Sequence, residues 1–143
     1  MPLASAVIDP NVLLSALIKP ASGNPAELVK AIQSGELAAV VSPILLAQLD
    51  ETLARPKFRR YFTLIDGWTL RGLLEVQGRW HSDPPPGPSL TRDLTDDYLV
   101  RLYRASGADW LVSGDKDLLE ADAADVAVLS PQQAVAQLTD RRS

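Results

Sequence analysis

AVIDPNVLL, residues 6–14, is an apolar run interrupted by an acid: it halts on Asp9, passes through Pro10 and Asn11, and resumes as Val12, Leu13 and Leu14. Upstream, residues 4–8 (ASAVI) are short and wholly apolar or small, the pattern of a strand buried on both faces of a parallel sheet. Pro10 suits the first turn of a following helix, where its missing N–H costs nothing. A buried strand leading through an acid into a helix opens a β–α unit. In an open parallel sheet ligands bind beyond the carboxyl ends of the strands, and Asp9 stands at such an end.

The same alternation continues along the chain. Asn24 and Pro25 read as N-cap and first residue of a helix ended by Gly35, and residues 37–41 follow as a strand. Ser42 and Pro43 repeat the cap-then-proline signal and open a helix striped by Leu45, Leu46, Leu49 and Leu53. That helix stops near Arg55-Pro56, and residues 57–62 (KFRRYF) form a short helical turn. Asp66 caps a further helix reaching about Arg79. Residues 82–90 (SDPPPGPSL) are a loop, since prolines cannot donate backbone hydrogen bonds. Asp93 opens a helix to Ser106; residues 109–112 and 126–129 read as strands, with a short helix from about Asp117 between them; Ser130-Pro131 starts a terminal helix. Strands alternating with helices predict an α/β fold, a parallel sheet covered on both faces by right-handed crossovers.

Composition bounds what such a domain does. A chain of 143 residues with 46% hydrophobic side chains can bury one core, so residues 1–143 are expected to form a single domain. No apolar run approaches the roughly 18 residues needed to span a bilayer, and the N-terminus lacks the pattern of a signal peptide, so a cytoplasmic protein without membrane contact is expected. There is no cysteine and His81 is the sole histidine, which excludes thiolate chemistry and a His-rich zinc centre. Any metal must sit among oxygens. The net charge of −4 argues against a surface coated with positive charge, while leaving room for a local basic strip.

Oxygen donors are what the motifs supply. Asp9 follows the first strand; Ser113, Asp115 and Asp117 of LVSGDKDLL follow another; and Asp93, Asp96 and Asp97 of RDLTDDYLV lie at a helix start. Carboxylates crowded together repel unless a cation or proton intervenes, and at neutral pH the intervening species is a hard divalent ion, Mg²⁺ or Mn²⁺. Each acid alone also reads as a helix cap or turn residue. Convergence of three segments on one rim is what favours a shared metal site.

These residues resemble the PIN-domain family, in particular its toxin components of bacterial toxin–antitoxin systems (VapC-like ribonucleases). The resemblance runs through VIDPNVLLSAL, VVSPILLAQLDETLARPKF and RDLTDDYLVRLYRASGADWLVSGDKDLL. It implies a three-layer α/β/α domain with a central parallel sheet that cuts RNA with Mg²⁺ or Mn²⁺ held by acids. Asp9, Asp96 and Asp115 fall on the catalytic, metal-binding acids; Asn11 and Ser113 fall on the polar residues that orient them; Asp93, Asp97 and Asp117 are neighbours. The implied chemistry is phosphodiester hydrolysis by a water that the metal activates, with no side-chain nucleophile. Implied partners are an RNA substrate, a cognate antitoxin and a second copy of the chain as homodimer.

Two positions depart from the family pattern. Pro10 replaces the usual Thr or Ser. Gln48 stands where a glutamate is expected; its carbonyl oxygen still coordinates but brings no charge, so metal affinity falls. At 100° per residue Gln48 flanks the leucine stripe while Glu51 points away, so Glu51 is no substitute. Arg55, Lys57, Arg59 and Arg60, interleaved with Phe58, Tyr61 and Phe62, form a strip suited to RNA or a partner, with the two phenylalanines packing inward at i, i+4. Trp68, Trp80 and Trp110 are expected in the core or a dimer interface. Two functions are thus carried forward: a metal-dependent endoribonuclease of a toxin–antitoxin pair, and a catalytically weakened module of the same fold that binds RNA or protein.

Overall fold

The computed structural model describes residues 1–85, 98–120 and 125–143. Its five strands, β1 (Ala4–Ile8), β2 (Leu37–Val41), β3 (Arg79–Trp80), β4 (Trp110–Val112) and β5 (Val128–Leu129), form one parallel sheet in the order β3-β2-β1-β4-β5. β1 is central and buried along its whole length, as its apolar sequence requires. The helices are α1 (Pro10–Ile18), α2 (Asn24–Ser34), α3 (Pro43–Leu53), α4 (Leu64–Gln77), α5 (Tyr98–Ser106), α6 (Lys116–Leu119) and α7 (Pro131–Arg142), with a 3₁₀ turn at Pro56–Phe58.

Successive strand residues point to opposite faces, so the sheet divides the core in two. Ala6, Ile8, Ala39, Val41 and Val112 pack with α1, α2, α4 and α7, while Val7, Val40 and Leu111 pack with α5 and with Leu118 of α6. This is the three-layer α/β/α architecture that the sequence implies. Among the described residues no helix is long and apolar enough to cross a membrane.

Local chemistry sets the boundaries. Asp9 caps α1 and Ser42 caps α3, each with proline in the first turn. Gly35, at φ 83°, takes the left-handed conformation that ends α2 and turns the chain straight into β2. The cap of α2 is Gly23 rather than Asn24, which is already helical. The cap of α4 is Thr63, not Asp66; the two form a reciprocal capping box in which each side chain accepts from the other's backbone N–H. α4 ends at Gln77 instead of running to Arg79, because Arg79 and Trp80 pair with Val40 and Val41 as an edge strand. Gly78 makes that switch possible: a Cβ there would lie 2.3 Å from the Leu74 carbonyl and 2.8 Å from Val41. Phe58 and Phe62 pack inward with stacked rings, and Trp110 is buried, whereas Trp68 and Trp80 are exposed.

The C-terminal helix is tied to the start of β2 by a two-pronged ion pair, Arg142 to Glu36, at 2.7 and 3.2 Å. The hydrogen bond from Arg142 is the main reason the Glu36 carboxyl is held below its ordinary value of 4.5. A carboxylate depressed on folding contributes stability above its unfolded pKa and loses it as pH falls through the folded value. Urea midpoints should therefore fall below about pH 4.5, and fall less steeply in Glu36→Gln. The pair is exposed, so this difference should shrink with added salt.

Candidate functional site

The strand order reverses between β1 and β4, which leave the sheet in opposite lateral directions, and the crevice at that switch point is where the acids lie. Asp9 follows β1 directly, and its carboxylate has two structural tasks. Oδ1 accepts from the Asn11 backbone N–H at 2.9 Å, capping α1, and Oδ2 accepts from the Ser113 hydroxyl at 2.9 Å. Asp9 is only 8% exposed and Ser113 is fully buried. Ser113 in turn accepts from the Asp115 backbone N–H at 3.1 Å. Asp115 caps α6, its Oδ1 accepting from the Asp117 N–H at 2.9 Å.

Helix capping and site building therefore coincide. The reading of Asp9 as the residue that begins α1 is correct, whereas α6 is capped by Asp115, expected in a turn, and not by Asp117, which is already helical; capping is how both carboxylates acquire a fixed place at the strand ends. One buried hydroxyl then connects the β1 acid to the β4 loop. Removing it in Ser113→Ala leaves Asp9 Oδ2 without that donor in a buried position, and should cost about 1–2 kcal/mol in urea unfolding.

Two adjoining hollows, of about 410 and 240 Å³, share Asp9, Asn11 and Asp115. Asp9 and Asp115 therefore border both hollows. The larger hollow continues along Val12, Ser15, Pro25 and Pro131. The smaller is lined by Gln48, Thr52, Arg55 and Tyr98. Gln48 accordingly lies at the crevice, and Glu51 is exposed and lines neither hollow. Asp117 is exposed and also lines neither. Asp93, Asp96 and Asp97 lie outside the described residues; among the described ones no three acidic or histidine side chains gather closely enough to hold an ion.

The basic strip is heterogeneous. Lys57 lies over the Phe58 ring at 5.1 Å, Arg59 over Phe62 at 5.1 Å and Arg60 over Tyr61 at 5.3 Å. Arg59 also donates to the Leu53 carbonyl at the end of α3. Arg55 instead faces the crevice. Sequence reasoning did not single out Tyr98 or Thr52; the signal for Thr52 was its i+4 spacing from Gln48, whose carbonyl it bonds at 2.8 Å.

The family model for the PIN domain matches residues 5–117, from β1 into α6. Among solved structures the chain is similar to the crystal structure of PAE2754 from Pyrobaculum aerophilum, with 15% sequence identity and a TM-score of 0.63 over 96% of this chain and 91% of that one. At that identity the likeness is one of fold. No curated protein matches the chain.

Proposed function

The chain belongs to the PIN-domain family, whose members are generally nucleases, and from that premise we propose that it is a Mg²⁺- or Mn²⁺-dependent endoribonuclease, the toxin of a toxin–antitoxin pair. The observation that carries this reading is the placement of Asp9 and Asp115 at the β1–β4 switch point, joined through the buried Ser113 hydroxyl.

The donors there fit a hard divalent cation. Asp9, Asn11, Gln48 and Asp115 offer oxygens, and the chain has no thiolate. Asp9 and Asp115 would hold the ion, with Asp96 as the third acid that the family resemblance supplies. When bound, such an ion lowers the pKa of water and neutralises charge on phosphoryl oxygens. The chain's own groups do the positioning. Ser113 fixes the Asp9 carboxylate by donating a hydrogen bond to Oδ2, and the Asn11 backbone N–H fixes the other oxygen. Ser113 is itself no nucleophile, since it is fully buried and its hydroxyl is committed to Asp9.

RNA is the proposed substrate, and an antitoxin and a second copy of the chain are the proposed partners. Exposed Tyr61, Leu64, Ile65 and Trp68 beside the basic strip support a protein contact on the α3–α4 side. The second reading, a weakened module that binds RNA or protein, is favoured by Gln48 at the crevice and by Pro10 in place of a hydroxyl. Incubation of mixed RNAs with the protein and Mn²⁺, with and without chelator, separates the two. Chelator-sensitive cleavage supports the nuclease; binding without cleavage supports the module.

A further inference from the structure

The four cations that follow α3 do different work. Arg59 is committed to the Leu53 carbonyl, and Lys57 and Arg60 lie on aromatic faces. Arg55 lines the smaller hollow with Asp9, Gln48 and Asp115. Among the described residues its guanidinium has no hydrogen-bond or ion-pair partner, although two carboxylates border the same crevice. It lies just past α3, in extended backbone after the C-cap Ala54, and lines the same hollow as Gln48 and Thr52 of that helix. The acids meanwhile are engaged by backbone N–H groups and Ser113. A cation kept beside acids but not paired with them is available to an incoming anion. Its planar fork matches two oxygens of one phosphate.

We propose that Arg55 is a positioning residue that binds the phosphate adjoining the scissile bond of single-stranded RNA, the strand running from one hollow to the other past Asp9 and Asp115, which border both. This rests on the nuclease reading. It assigns to one residue what the strip as a whole suggests, and it makes Lys57, Arg59 and Arg60 accessory.

The test pairs kinetics with binding. Arg55→Gln, Arg55→Lys and Lys57→Gln are compared with wild type in Mn²⁺-supported cleavage. A labelled single-stranded RNA is then titrated by anisotropy, from about 50 to 200 mM salt, onto Asp9→Asn and onto Asp9→Asn combined with Arg55→Gln. Loss of a charge-assisted contact should raise KM about tenfold in Arg55→Gln with a much smaller change in kcat, with partial rescue by lysine. Binding should weaken about as much, and the slope of log affinity against log salt should become shallower by about 0.7, one phosphate contact on a single strand. Lys57→Gln should change either quantity by less than about twofold. If wild type cuts RNA while Arg55→Gln keeps KM, affinity and salt slope, the anchor is wrong and the nuclease stands. Equal losses in Lys57→Gln and Arg55→Gln also overturn it, because they describe a diffuse basic strip. Failure of the wild type both to cut and to bind RNA removes the nuclease reading and the anchor together.

Discussion

Asp9→Asn should reduce Mn²⁺-supported RNA cleavage at least about a hundredfold, more than the tenfold to hundredfold usual for residues that only orient a metal ligand. The substitution keeps the side chain's shape and one acceptor oxygen while removing the charge. Asn at this position still caps α1, since an amide oxygen serves the Asn11 N–H as well as a carboxylate oxygen does. Ser113 loses its anionic acceptor and turns its hydroxyl to accept from the new amide. The fold should therefore survive with only a small change in melting temperature. What should vanish is stabilisation by metal. In wild type, added Mn²⁺ should raise Tm by mass action on the native state, and Asp9→Asn and Asp115→Asn should each flatten that response. A variant that melts like wild type, gains nothing from Mn²⁺ and fails to cut places the chemistry at the β1–β4 crevice. Unimpaired cleavage by Asp9→Asn removes it from there.

The part of this architecture that was legible in the sequence is the part governed by local rules. Asp9-Pro10, Ser42-Pro43 and Ser130-Pro131 each mark a strand end followed by a helix start, because a side-chain acceptor and a proline satisfy the same unpaired helical terminus. Once strands and helices alternate, parallel topology and the placement of acids at strand ends follow. Edge strand β3 was not legible. Arg79 and Trp80 are polar or exposed, and only pairing with Val40 and Val41 makes them a strand. The Thr63 cap was hidden for another reason: a capping box is reciprocal, so Asp66 carries as much of its signature as Thr63 does. Trp68 and Trp80 were misjudged if read as core, since bulk and apolarity say that a side chain gains from burial but not that a partner is at hand. The site shows the same division. The spacing of Asp9, Ser113 and Asp115 along the chain says nothing of the bond from Ser113 to Asp9, which exists because β1 and β4 are neighbours.

Gln48→Glu should do the opposite of Asp9→Asn. Gln48 borders the hollow that contains Asp9, Asn11 and Asp115, and it is exposed there, so a carboxylate of nearly the same shape needs no repacking. Without metal, the added charge joins two carboxylates on one crevice, and repulsion should lower Tm slightly. With Mn²⁺, the same charge becomes an additional anionic ligand, and Tm should rise above that of wild type under identical conditions. The reversal of sign is the diagnostic, because a change in helix propensity or surface charge would shift both measurements alike. Cleavage should follow the metal, with half-maximal activity at about tenfold lower Mn²⁺, roughly what one well-placed ligand contact is worth. Arg55 shares the hollow and opposes the effect in part, since its guanidinium can pair with the new carboxylate. An inert wild type revived by Gln48→Glu would identify a binding module whose catalytic loss lies at one amide. An active wild type merely sharpened by it would identify a nuclease that demands more metal. Equal shifts in Tm with and without Mn²⁺ would mean that position 48 never meets the ion, and the lost glutamate would then have no bearing on activity.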